Sequence, residues 1–103
     1  MREEIKNQIE NDIKNNKVVL YMKGSAQAPM CGFSARAVDI LKKHGVSFKD
    51  INILENEEIR GAIKEYSDWP TIPQLYINGE FVGGCDIITE MHENGELEKL
   101  IKK

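Results

Sequence analysis

The stretch Val18–Ser34, VVLYMKGSAQAPMCGFS, joins a short apolar run to a cysteine followed by Gly32-Phe33-Ser34. Val18-Val19-Leu20-Tyr21-Met22 shows no alternation of apolar and polar residues and is bounded by polar ones. That pattern predicts a strand buried on both faces. Lys23 to Met30, with Gly24, Ser25 and Pro29, reads as a loop. From Cys31 onward Phe33, Ala37, Ile40 and Leu41 recur at helical spacing until Gly45, which follows His44 as a C-terminal cap. The chain therefore leaves a buried strand, crosses a loop and opens a helix on Cys31. Cys31-Gly32-Phe33-Ser34 has the form of a Cys-x-x-Cys redox motif whose second thiol is a hydroxyl. In the dithiol form the first thiolate attacks a disulfide and the second resolves the mixed disulfide. An alcohol stays protonated near neutral pH and forms no disulfide, so Cys31 needs a thiol from elsewhere, a soft metal, or both.

Elements on either side complete the frame. Ile5, Ile9 and Ile13 mark an opening amphipathic helix, with Glu3 and Glu4 in its first turn and Lys14 and Lys17 near its end. Val46 to Ile53 predicts a second strand. Asn56 caps a helix carrying Ile59, Ile63 and Tyr66 on one face, and Trp69-Pro70 ends it. Gly61 inside that helix costs about 1 kcal/mol relative to alanine, so packing is expected to offset it. Leu75-Tyr76-Ile77 and Phe81-Val82 flank Asn78-Gly79, the favoured pair for a type I′ hairpin turn. Gly83-Gly84 breaks the second of these strands, and Asp86 stands where an N-cap stands before Ile87, Ile88 and Met91. Asn94-Gly95 stops that helix, and Leu97, Leu100 and Ile101 form a last short apolar turn. The order α-β-α-β-α-β-β-α predicts a four-stranded mixed α/β sheet covered by helices on both faces. A Cys-x-x-Cys-like motif where strand one meets helix two is the thioredoxin-like arrangement.

Bulk properties narrow the function. At 103 residues, with 41% apolar and 30% charged, the chain is expected to form one domain, residues 1–103, with its own core. A net charge of -3 argues against nucleic acid as a main partner. No apolar run approaches the roughly 20 residues of a membrane span. Met1-Arg2-Glu3-Glu4 has no apolar signal region behind it and is too acidic for a transit peptide. Cys31 and Cys85 are the only cysteines, a usage that fits reduced, intracellular thiols. A cytoplasmic home, or an organelle matrix, is the expectation. His44 and His92 have no metal-like spacing with either cysteine, so a zinc site is not expected there.

Lys23, Cys31-Gly32-Phe33-Ser34, Trp69-Pro70-Thr71-Ile72-Pro73-Gln74 and Gly83-Gly84-Cys85-Asp86, in this order along nearly the whole chain, resemble the monothiol glutaredoxins of the CGFS class. One departure is visible: Ala26 stands where the family loop usually has a proline, which predicts a looser loop before Pro29.

Cys31 is the candidate nucleophile. At a helix N-terminus, free N–H groups and the dipole stabilise a negative sulfur, and Lys23 adds positive charge. The family's cosubstrate is glutathione, an anionic tripeptide with two carboxylates and one ammonium. Lys23 and Arg60 are candidates for a carboxylate, arginine with the better fork geometry. Asp86 and the N–H groups of its helix suit the γ-glutamyl end. The resemblance maps backbone pairing with the cysteinyl part onto Ile72 and Pro73, with a cis bond between them, and places Cys85 beside the tripeptide. Trp69, Tyr66 and Phe33 read as packing residues.

The resemblance further implies a [2Fe-2S] cluster bridging a homodimer. Such a centre generally needs four thiolates. Cys31 from each of two chains and two glutathione thiolates complete the set. A rival set uses Cys31 and Cys85 from both chains. The implied role is a carrier in iron-sulfur cluster assembly, with apo acceptor proteins and BolA-type proteins as partners. The alternative is a glutathione-dependent thiol-disulfide oxidoreductase, weak in this class, for which the extended loop Gly24 to Met30 is held responsible. Cys85 is a further candidate there, as an internal resolving thiol.

Overall fold

The central strand β1 (Val18–Met22) is buried at every position. In this computed structural model, which describes residues 1–103, strands cover both its edges and helices both its faces. β2 (Lys49–Asn52) pairs with it in parallel, Leu20 opposite Asp50. β3 (Gln74–Ile77) pairs antiparallel on the other side, Leu20 opposite Leu75, and β4 (Glu80–Gly83) follows it as the outer strand. The order is β2-β1-β3-β4. The helices are α1 (Glu3–Asn15), α2 (Gly32–Lys43), α3 (Glu57–Ser67), α4 (Cys85–Asn94) and α5 (Glu96–Lys102). This is the thioredoxin-like mixed sheet expected from the sequence.

The absence of alternation in β1 now has its cause. Successive side chains point to opposite faces, and each face meets helices. Val19 and Tyr21 join Tyr76 and pack with Ile5, Ile9 and Ile13 of α1 and Ile59 and Ile63 of α3. Val18, Leu20 and Met22 join Leu75 and Ile77 and pack with Ile40 and Leu41 of α2 and Ile88 of α4. Each fully buried side chain of this size contributes roughly 1.5–3 kcal/mol.

Several boundaries differ from the sequence reading. Lys17 lies outside α1, whose C-cap is Asn16. β2 is half the predicted length: Val46 and Phe48 pack against the α2 side of the core instead of extending it, although Ile53 still donates its N–H to Met22. Asn56 does cap α3, accepting from Glu58 and Ile59, but the helix ends on Asp68 in the left-handed conformation, ahead of Trp69. A Cβ at Gly61 would meet nothing within 4 Å, so no close approach requires that glycine, and the burial of Ile59, Ala62 and Ile63 on the inner face of α3 offsets its cost. The hairpin holds: Asn78 and Gly79 have φ of 53° and 83°, as a type I′ turn requires. The last apolar turn is a full helix, α5. No helix is long and apolar enough to cross a membrane.

Candidate functional site

The loop after β1 is fastened at several points. Gly24 donates to the Asn52 side chain at 3.0 Å, Ala26 to Asp50 at 2.7 Å, and Met30 to the Lys23 carbonyl at 2.9 Å. The Lys42 ammonium adds a bond to the Ala26 carbonyl at 3.2 Å. Gly24 has φ +87°, and a Cβ there falls 2.5 Å from the Ala28 carbonyl oxygen, so only glycine fits. The looser loop expected from Ala26 is therefore a correction: its N–H, the donor a proline lacks, is the group that bonds Asp50.

Cys31 follows as the N-cap of α2, in extended conformation and half-buried. Its thiol pKa lies below the ordinary cysteine value, first because the Ser34 N–H is turned toward the sulfur. The Phe33 N–H, the charge of Lys23 and the Ser34 hydroxyl act the same way, while partial burial opposes them. None of these closes into a side-chain capping bond, so the sulfur sits in a field of oriented dipoles and keeps its lone pairs for chemistry. Ser34 itself is fully buried and its oxygen accepts the Lys23 N–H at 3.1 Å. The hydroxyl that replaces a resolving thiol thus ties the end of β1 to the start of α2.

A cavity of about 410 Å³ opens in front of Cys31. Lys23, Ile72, Pro73, Cys85 and Asp86 line it, as the sequence reading grouped them. The Ile72-Pro73 bond is cis. Arg60 is not among the lining residues. It is exposed on α3, and Lys64, one helical turn further on, faces the cavity instead. Trp69, Thr71 and Phe33 also line the cavity, although sequence reasoning assigned Trp69 and Phe33 to packing. Trp69 does pack, with its ring 5.8 Å from that of Phe81, and it keeps 36% of its surface exposed. The signal for Lys64 and Trp69 was their nearness to the Pro70–Pro73 turn.

One wall is held from behind by a residue that the sequence reading quoted in its motif without giving it a role. Gln74 is fully buried, and its amide donates to the carbonyls of Trp69 at 3.0 Å and Thr71 at 3.2 Å. The far wall is the start of α4. Its N-cap is Gly84, not Asp86 as expected; Asp86 is the second residue of the helix and makes no capping bond. The reason is local: a Cβ at Gly83 would fall 2.8 Å from Ile87 and one at Gly84 3.1 Å from the Trp69 indole nitrogen, so the chain turns into the helix at the glycines. The carboxylate of Asp86 is left for the cavity.

Fold and site define a thioredoxin-like protein with a single activated thiol at the head of a helix, facing a cradle for a small ligand. The Glutaredoxin family model matches residues 18–82. Probable monothiol glutaredoxin 2 of Rickettsia felis is 66% identical over 94 residues, 91% of this chain and 90% of that protein. The solution structure of reduced poplar apo GrxS14 is 50% identical with a TM-score of 0.85, covering 95% of this chain and 90% of that one. A buckwheat glutaredoxin–glutathione complex, 22% identical over 99% of this chain and 94% of that one, shares the fold with a TM-score of 0.86. The chain belongs to the glutaredoxin family, in its monothiol branch.

Proposed function

We propose that this protein binds glutathione in the Cys31 cavity and carries a [2Fe-2S] cluster between two copies of the chain, for delivery to apo iron-sulfur proteins. The observation that carries the reading is the pairing of a low-pKa thiol with complements for every charge of the tripeptide in one cavity. The volume falls in the range of about 300–1,000 Å³ usual for small-molecule sites. Lys23 and Lys64 complement the glycyl carboxylate. Asp86 complements the α-ammonium, and the open N–H groups at the start of α4 the α-carboxylate. The backbone N–H and C=O of Ile72 make no bond within the chain and are available to the cysteinyl residue. Cys85 stands beside them as part of the wall. Arg60 has a place in this reading only through a longer reach from α3.

The donor set fits the cluster. A thiolate is the ligand such centres use, and no group of three or more His, Cys, Asp or Glu side chains in the chain forms a metal site by itself. One Cys31 from each copy and two glutathione thiolates complete the set, and the cluster supplies a transferable iron-sulfur cargo. Acceptor apo-proteins and BolA-type partners, and a cytoplasmic or organelle-matrix setting, belong to the same reading.

A second reading rests on the same low-pKa thiol. The Cys31 thiolate attacks the glutathione sulfur of a protein mixed disulfide, the protein leaves as a thiol after taking a proton, and Cys31 becomes glutathionylated. A second glutathione thiolate then attacks that bond, releasing oxidised glutathione and the Cys31 thiolate.

Anaerobic reconstitution with iron, sulfide and glutathione tests the carrier. The expected product is a coloured dimer that becomes colourless and monomeric when glutathione is removed. Cys31→Ser should abolish it, and Cys85→Ser should leave it nearly intact. Loss of the cluster in Cys85→Ser alone would favour the rival set of four protein thiols. Colourless protein with rapid deglutathionylation would favour the enzyme.

A further inference from the structure

The far ends of α2 and α4 meet in a feature that the glutathione reading does not use. His44 is the C-cap of α2 and His92 lies in the last turn of α4. Nε2 of His44 and Nδ1 of His92 are 2.9 Å apart, and the rings stand edge to face at 78° with centroids 5.0 Å apart. Both residues are half-buried, and neither ring makes another hydrogen bond in the chain. Between two neutral imidazoles so placed, one shared proton holds the contact: one nitrogen donates and the other offers its lone pair.

We propose that His44 and His92 form a two-imidazole site for a divalent late transition metal ion, which takes the place of that shared proton and staples α2 to α4. Imidazole nitrogen suits zinc, nickel and copper. With metal–nitrogen bonds of about 2.0–2.1 Å, a nitrogen separation of this size subtends about 90° at the ion, and opening it by about 0.4 Å reaches the tetrahedral angle. Small ring rotations supply that movement. Binding requires a change of tautomer: the ring that donated in the pair carries its proton on its other nitrogen, so both imidazoles stay neutral ligands and no net proton is released.

The surroundings favour a cation. Two helices end here, so their carbonyl ends place partial negative charge at the pair. Glu98 adds a carboxylate within electrostatic reach of His44, although its main partner is Lys102. The lysines of the last turn of α2 are engaged elsewhere, Lys42 with the Ala26 carbonyl and Lys43 with Asp39 at 3.2 Å. No third side chain completes a ligand set, so water fills the open positions.

The test is calorimetric titration of the full chain with Zn²⁺ at neutral pH, after both cysteines have been alkylated to remove thiolate ligands. One ion per chain is expected, with a rise in the thermal midpoint on addition of Zn²⁺. His44→Ala and His92→Ala should each weaken binding by at least about tenfold, which is 1.4 kcal/mol, and abolish the rise. His92→Gln, which keeps a hydrogen-bonding side chain, should behave like His92→Ala while retaining the wild-type circular dichroism spectrum. Absence of binding, or equal affinity in wild type and variants, overturns the proposal. Glutathione takes no part, so the outcome is independent of the glutathione reading.

Discussion

The starts of α2 and α4 put one device, a helix N-terminus, to two different uses. Both helices open at the same cavity, so two sets of unpaired N–H groups and two positive dipole ends converge on it. α2 has no acidic residue in its first turn, and its cap is the thiol itself. Its field is spent on the sulfur, holding the thiol pKa down. α4 has a glycine cap and carries Asp86 in its first turn. There the same N–H groups stand next to a carboxylate, the pairing that the proposed function assigns to a zwitterion. A helix start is therefore not a site by kind: the residue at the cap and the charge one or two places on decide whether it activates a nucleophile or grips a ligand.

The largest effect that tests this contrast is at α4. Asp86→Asn keeps the shape and removes the charge opposite the ammonium. Charge-assisted hydrogen bonds are worth about 1.5–3 kcal/mol, so glutathione should bind about tenfold to a hundredfold more weakly. The pH profile of Cys31 alkylation should stay where it is. Calorimetric titration with glutathione and an alkylation series on the same variant check both halves. A coupled change in the two would mean that the helix starts do not act separately.

A smaller effect separates Lys64 from Arg60. Lys64 faces the cavity from α3 and Arg60 does not. Lys64→Ala should weaken glutathione binding about threefold to fivefold, as befits one partly screened charge pair, whereas Arg60→Ala should change it less than about twofold. The reverse ranking would show that the longer arginine reaches the ligand from its exposed position.

That pair also marks where sequence reasoning stops. Local signals were legible: the unbroken apolar β1, the Asn78-Gly79 turn, the Asn56 cap and the helix opening on Cys31 each follow from a few adjacent residues. Lys64 and Arg60 sit one turn apart on the same side of α3, and only the docking of that helix decides which one meets the cavity. Asp86 looked like a cap because aspartate favours that position. Crowding of Gly83 by Ile87 and of Gly84 by Trp69 goes with a helix start two residues earlier, and the second of these contacts is tertiary. Gln74 stood in the quoted motif without a role, since a buried amide holding two carbonyls has no local pattern. The loop tie from Ala26 to Asp50 joins residues 24 apart in sequence, beyond any short motif.

The smallest predicted effect transplants the α4 pattern onto α2. A Cβ at Gly32 would meet nothing within 4 Å, so Gly32→Asp adds a carboxylate beside Cys31 without displacing a neighbour. A charge in the first turn is worth about 0.3–1 kcal/mol, so the thiol should move back toward its ordinary pKa and alkylation at neutral pH should slow about twofold to fivefold. A Cys85→Ser background lets iodoacetamide report Cys31 alone. The linked change in stability has a definite sign. A thiol whose folded pKa is depressed stabilises the fold fully above its unfolded pKa, and that gain is lost as pH falls through the lowered folded value. Denaturant midpoints measured from alkaline to neutral pH should therefore fall less in Gly32→Asp than in its parent, because the aspartate narrows the gap between the two pKa values. An unchanged alkylation profile would show that the first-turn charge is screened and that the N–H groups of Ser34 and Phe33 hold the thiol pKa down on their own.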